Sequence, residues 1–482
     1  MLPPAPEGVW DRKFTARRVN SAAIPSMWAV VNAFWVPLLA ISMRMASSPT
    51  GNASYVLIAT YALTGPRQAI VSLYLCWLFN MINHGIAPMA GFAAILRHLV
   101  IVCAFLSVMI HSKRAAYAKT AWLVPVTAIL CGFLIIHSIL FSQQVDVSLL
   151  KSISFSLTVV SLAVGWATLG DRDRQLTESF LFGSLGVIAL ASAPFVASKI
   201  GYFRNGVGFQ GILVHPQNFG PSMAVLAALL VAQSLTERTI RPWKAGIIGL
   251  SIVWIFLSKA RIGGLALLVG VAFGIAGEII RSWLARHPSR NPMRRQRLAI
   301  FSGVLLVGAL AAAPWLSVLL AEFVQKGAKG QTLSEVAIAS RGVKIEDMMR
   351  NIEQYPVFGT GFGVELGTNY FQIERDPVFG IPIMATVEKG VMPIAIVEET
   401  GIVGAFVTYP WLLLLLVRSI RGGVVSGTVF WSVLATNLAE ACFFSPGGQG
   451  MFQLIFAMWA ATSPPIATKH HQRLQPAFRS AA

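Results

Sequence analysis

The sequence predicts an all-α protein: a polytopic transmembrane helical bundle of about 12–14 spans with one long, structured periplasmic loop. Three observations carry that prediction. The 482 residues are 55% hydrophobic and 12% charged, where an ordinary soluble chain has about 25% charged residues. Apolar stretches of about 15–25 residues recur along the whole length, and a bilayer core of about 30 Å takes about 20 helical residues to cross. The Lys and Arg residues fall in short connections between those stretches. A soluble globular enzyme is thereby excluded. The net charge of +18 raises nucleic acid as a partner, but basic residues dispersed over short loops orient a membrane protein and do not build one basic face. No nucleic acid is expected.

The elements follow in order. Residues 1–23 carry Arg12, Lys13, Arg17 and Arg18, so this segment is expected to stay cytoplasmic. The apolar stretch that follows is too long for a signal-peptide core and no small-residue cleavage site succeeds it, so span one, about residues 24–45, acts as its own signal. A short apolar piece, 55–63, ends at Gly65 and Pro66, which break a helix. Further spans are expected over about 68–83, 92–110, 120–141, 148–169 and 179–198. Segment 201–217 is Gly-rich, weakly charged and expected outside. Spans follow over about 218–235, 245–257, 262–284 and 298–320. The connection holding Arg281, Arg286, Arg290, Arg294, Arg295 and Arg297 is the most basic in the chain and fixes the orientation of its neighbours.

Residues 321–390 form the long polar stretch, rich in Glu and Asp, and are expected outside as the periplasmic loop. The last spans, about 391–417, 424–444 and 451–462, lead to a basic tail, 465–482. Membrane helices thus occupy 24–320 and 391–464, in fourteen spans with both termini cytoplasmic. The four cysteines, Cys76, Cys103, Cys131 and Cys442, lie within apolar spans without metal or disulfide spacing, and read as small core residues.

A loop of about 70 residues is uncommon unless it is structured or functional. Thr332 and Glu335 fit a capping box, and the stretch to Gln354 reads as helix ending at Pro356. Ile345, Met348, Met349 and Ile352 would face the membrane domain. Arg341 shares that inward face and needs an anionic partner, either a loop carboxylate or a phosphate. Pro356-Val-Phe-Gly-Thr-Gly-Phe-Gly363 has glycines that permit positive φ and close approach. Arg261, in the tight outer turn Ser258-Lys-Ala-Arg-Ile262, reads either as an interfacial anchor or, with Lys259 and Arg341, as part of an electropositive pocket for a lipid diphosphate.

Three segments in this order and spacing resemble the O-antigen ligase and O-antigen polymerase superfamily: His215-Pro-Gln-Asn-Phe-Gly220, the turn around Arg261, and Ser340-Arg341 followed by Tyr355 to Gly363. Val397-Glu-Glu-Thr-Gly-Ile-Val-Gly404 resembles that family's Glu-x-Gly motif. The likeness covers about residues 201–416. It implies a metal-independent, cofactor-free inverting glycosyltransferase of the bacterial inner membrane, which polymerises undecaprenyl-diphosphate-linked repeat units into exopolysaccharide or O-antigen at the periplasmic face. Arg261 and Arg341 match the two arginines that hold the diphosphate. Where the family has a histidine, this chain has Glu388-Lys389-Gly390, so Glu388 stands as the base and Lys389 as its tuner or a phosphate ligand. The departure favours an exopolysaccharide polymerase-like subgroup. His215 is the alternative base, or else a structural histidine.

Glu398 and Glu399 either shape the acceptor site or cap the following helix. Arg204, Lys259, Gly361 and Gly363 complete the expected substrate-binding set. The expected partners are the lipid-linked glycans, membrane lipids and a chain-length-determining membrane protein. The alternatives are a ligase that transfers a finished glycan, and a flippase or transporter of lipid-linked sugars. Asp171 and Asp173 imitate a metal-binding carboxylate pair but lie in a short cytoplasmic loop with no nucleotide-binding domain. Arg97, Lys151 and Glu440 read as helix-to-helix ion pairs, with Asn437 and Glu440 on one face.

Overall fold

The computed structural model describes residues 27–112, 122–237, 241–284, 345–366, 372–375, 380, 382–386, 389–438 and 440–464. Within them the chain forms α1 (Met27–Ala46), α2 (Ser48–Ala62), α3 (Pro66–Met81), α4 (Ala93–His111), α5 (Leu123–Leu140), α6 (Val145–Thr168), α7 (Asp171–Ala191), α8 (Pro216–Thr236), α9 (Pro242–Ser258) and α10 (Arg261–Leu284). A short helix, α11, covers 345–354. A two-stranded antiparallel hairpin follows, β1 (Gln372–Arg375) and β2 (Pro382–Thr386). Helices α12 (Met392–Arg421), α13 (Val424–Thr436) and α14 (Gln449–Ala461) close the bundle. The expected span over 298–320, both terminal segments, and the candidate site residues Arg341 and Glu388 lie outside the described residues.

Seven of these helices are long and apolar enough to cross a membrane. Their outward faces carry large apolar side chains, among them Ile95, Leu99, Val102, Leu106 and Ile110 on α4, a surface suited to lipid and not to water. Polar groups turn inward and join helices. Trp77 Nε1 donates to Gln449 Oε1 at 3.2 Å, and Gln449 Nε2 donates to Ser222 Oγ at 3.2 Å. Gly270 and Gly274, four residues apart on α10, let it close on Thr428 and Ser432 of α13, the small-residue packing that drives helix association in lipid.

Bonds between connections define two ends. At one end, Asn83 N donates to the Ile212 carbonyl, Gln143 N to Thr360 and Met392 N to Asn437. We call this the loop end. At the opposite end, Arg67 pairs with Asp173, and Arg174 donates to the Trp459 and Thr462 carbonyls. Helices α13 and α14 have 13 residues each, a rise of about 20 Å, well short of a bilayer core. The non-helical parts of the connection between them, 437–438 and 440–448, therefore hang below the loop-end surface, where irregular backbone is tolerated only if protein encloses it. Asn437 supplies part of that enclosure: its Oδ1 accepts from Cys442 N and Phe443 N, and its Nδ2 donates to Gln453 Oε1 at 2.8 Å.

Several expectations need correction. The short apolar piece at 55–63 is the second half of a 15-residue helix, which begins at a Ser47/Thr50 capping box. The span expected over 424–444 stops at Thr436, so Asn437 and Glu440 do not share a helical face. On α11, Met348 and Asn351 are buried while Met349 is exposed, which shifts the inward face by part of a turn. Arg97 makes no helix-to-helix ion pair among the described residues; its Nη1 donates to the Gly447 carbonyl at 3.1 Å.

Candidate functional site

The site begins with a broken helix. At Gly401 (φ 64°, ψ −171°) α12 leaves helical geometry, a backbone region that is essentially glycine's alone. Breaking a helix orphans carbonyls before the break and N–H groups after it. The glycine-rich loop after α11 supplies both kinds of partner. Thr360 N and Gly361 N donate to the Glu398 and Glu399 carbonyls, each at 2.9 Å, while Ile402 N and Val403 N donate to the Pro356 and Val357 carbonyls at 3.0 and 3.2 Å. The loop is wedged into the break and completes it. Close approach requires Gly359 (φ 71°), where a Cβ would meet the Glu398 carbonyl oxygen at 2.6 Å. His137 Nε2 donates to the Phe358 carbonyl, and the Phe358 ring stacks on Phe141 at 3.9 Å.

Gly401→Ala should accordingly destabilise the protein by more than the roughly 1–3 kcal/mol of the backbone conformation alone, because the new methyl would also collide with the Val357 carbonyl. Thermal unfolding in detergent measures this, and a midpoint equal to the wild type's would dismiss the wedge.

Inside the wedge lies a buried charge cluster. Lys389 Nζ sits 2.8 Å from Glu398 Oε2 and 3.2 Å from Glu399 Oε1, and donates to the Val364 carbonyl at 2.7 Å. Its side chain is 2% exposed and that of Glu398 is 1% exposed. Asn351 Nδ2 on α11 donates to Glu398 Oε1 at 2.8 Å, and Gly363 N donates to Glu399 Oε2 at 2.8 Å. From α6, Lys151 Nζ donates to the Gly363 carbonyl at 2.7 Å, within electrostatic reach of Glu399, Lys389 and Glu365. Burial pulls the Lys389 ammonium down, but the Glu399 and Glu398 carboxylates outweigh it and hold the group above its ordinary value.

Lys389 Nζ thus lies within 3.2 Å of two carboxylate oxygens and one carbonyl oxygen. Glu398 and Glu399 lie beyond the first turn of α12, just ahead of its break, and their carboxylates face Lys389, Asn351 and Gly363. Lys389, Glu398, Glu399, Gly361 and Gly363 thus meet as one scaffold. It also uses Asn351 and Lys151: Asn351 was hidden because a single amide carries no pattern, and Lys151 was legible only as an ionisable residue in a span. The hairpin docks beside the scaffold through Arg375, paired with Asp146 at the start of α6, and through Ile383, whose carbonyl lies 3.3 Å from His98 Nε2.

A second set gathers where α9 meets α10. Lys259 has φ 53°, the one positive φ outside glycine among the described residues, and this left-handed residue ends α9 so that Arg261 can open α10. Lys259 is exposed. Arg261 is half-buried, and its Nε is shielded from solvent with no hydrogen-bond partner among the described residues. No carboxylate pairs with it there either. Phe209 N donates to the Leu257 carbonyl at 2.9 Å, bringing the loop that carries exposed Arg204 onto this turn. His215 Nδ1 accepts from Gln217 N at 3.1 Å and caps α8. Both sets belong to the loop end, and no ion pair among the described residues joins them. Compared with protein-family models and with curated proteins, the chain matches none.

Proposed function

We propose that this protein is a membrane glycosyltransferase that polymerises sugar repeat units carried on undecaprenyl diphosphate, at the periplasmic face of a bacterial inner membrane. The observation that carries the reading is Arg261, a partly buried guanidinium with an unsatisfied Nε and no carboxylate among the described residues. It stands at the outer turn of a bundle whose basic connections otherwise favour the opposite end. A cation at membrane depth is a functional site by default, and a planar fork of donors suits phosphate. In the proposed reaction the acceptor hydroxyl attacks the donor sugar C1, the C1–O bond to the diphosphate breaks, and the hydroxyl proton passes to a carboxylate, for which Glu388 is the candidate. Charge grows on the departing diphosphate, so a fixed cation there stabilises the transition state more than the ground state. The wedge of α12 and the glycine loop lies at the same end of the bundle, and in this reading Lys389 and Glu399 are positioning residues.

The break in α12 invites the transporter reading, since broken helices meeting at midplane are common in transporters. Length argues against it. From Ile402 to Arg421 the helix rises about 30 Å, enough to cross the bilayer core unaided, so the break belongs at the membrane edge and not at its centre. The test is polymer formation by purified protein from purified lipid-linked repeat unit, with release of the carrier diphosphate. Movement of lipid-linked glycan across liposomes without any new glycosidic bond would replace the enzyme by a flippase. Transfer of finished chains alone would make it a ligase.

A further inference from the structure

A cavity of about 410 Å³ opens at the end of the bundle opposite the candidate site, between the α2–α3 turn and the ends of α4 and α6. That volume is in the ordinary range of small-ligand sites, about 300–1,000 Å³. Its walls include Arg67, Gln68, His111, Thr168 and Asp173. Helix α3 starts here at Pro66 with no side-chain cap, so the N–H groups of Arg67 and Gln68 lack intrahelical partners. The Arg67 Nε is buried without a hydrogen-bond partner among the described residues, while Nη1 lies 3.2 Å from Asp173 Oδ1. His111 Nδ1 donates to the Ser107 carbonyl at 2.8 Å, so in the neutral ring Nε2 is an acceptor and the imidazole lines the wall without binding the anion. Leu63 and Ile110, next in sequence to the lining residues Thr64 and His111, are exposed apolar side chains.

We propose that this cavity holds the phosphate of an anionic phospholipid drawn from the adjacent leaflet. Uncapped N–H groups and a guanidinium whose Nε is unpartnered among the described residues belong to residues that line one space, which is the chemistry of a phosphodiester site. The exposed leucine and isoleucine beside it would lie along the acyl chains. Connections at this end are the basic ones in the sequence, and such an end faces the leaflet whose surface is negative. Asp173 is the resting partner of Arg67; its side chain is 52% exposed, so it can swing into water when a phosphate arrives.

The opposing roles of Arg67 and Asp173 make the test directional. Full-length protein in detergent is titrated with phosphatidylglycerol, and separately with phosphatidylcholine, and bound lipid is counted by native mass spectrometry. Wild type should retain phosphatidylglycerol in preference. Arg67→Gln should weaken that binding about fivefold, the worth of one cation near a lipid surface, and Asp173→Asn should strengthen it. Arg241→Gln, the same charge lost at the same end but away from the cavity, should change nothing, and inorganic phosphate should not displace the lipid. Equal retention of the two lipids, no gain in Asp173→Asn, or displacement by inorganic phosphate would each overturn the proposal. Asp173→Asn keeps the test valid even where Arg67→Gln fails to fold.

Discussion

Lys389→Met should destabilise the protein by about 3–5 kcal/mol, the cost of removing one partner from a buried ion pair. The substitution keeps the length and apolar stem of the side chain and deletes only its charge and donors. Two carboxylates, Glu398 and Glu399, then face each other's charge with the ammonium gone, and the Val364 carbonyl loses its donor. Unfolding in detergent reads the loss directly. Part of it should return in Lys389→Met with Glu398→Gln, because the neutral amide removes the uncompensated charge while keeping a group for Asn351. Additive losses in the double variant would mean that the two residues do not form a unit.

The pH dependence of that loss has a definite sign. The folded-state pKa of Lys389 lies above its ordinary 10.5: burial lowers it, and Glu399 and Glu398 raise it further than burial lowers it. A group of this kind contributes stability that is complete below the unfolded pKa and is lost as pH climbs through the higher folded value. Measured against a variant in which Lys389→Met is joined by Glu398→Gln and Glu399→Gln, so that no unpaired carboxylate of the cluster titrates, the wild-type advantage should therefore stay flat from about pH 6 to about pH 9. An advantage that grew with pH across that window would place a neutral amine in the fold.

Why this cluster escaped sequence reading is a matter of pairing, not of composition. Lys389, Glu398 and Glu399 are conspicuous as charges beside an apolar span, and their segment was legible as a place where chemistry gathers. Which charges neutralise each other depends on the bend at Gly390 and on α12 breaking at Gly401, and a break inside a well-formed apolar period leaves no trace in hydropathy. The same limit hid α2, whose first half, Ser48 to Ser54, is polar although it is helical and packed. Periodicity sees the apolar half, while the capping pair Ser47 and Thr50 marks the true start. The membrane class and the order of the helices were legible because burial in lipid demands apolar residues along every span, and the end of α11 because Pro356 cannot continue a helix. The hairpin was not, since β1 has only four residues and shows almost no alternation.

Arg261→Gln should behave in the opposite way to Lys389→Met, with normal folding and a rate of polymer formation lowered by about 10²–10³. The fold should tolerate the change because no carboxylate among the described residues is left unpaired by it, and Nε has no hydrogen bond to lose; the unfolding midpoint should move by no more than about 0.5 kcal/mol in stability, as at ordinary surface positions. The rate should fall because the cation acts on charge that appears only as the C1–O bond lengthens. For that reason kcat should drop more than KM rises. Arg261→Lys restores a point charge but not the fork, and should recover part of the rate only. A variant with wild-type kcat and a raised KM would recast Arg261 as a simple docking cation. One with wild-type values for both would leave it an anchor to lipid headgroups, and the proposed chemistry would have to be sought elsewhere at the loop end.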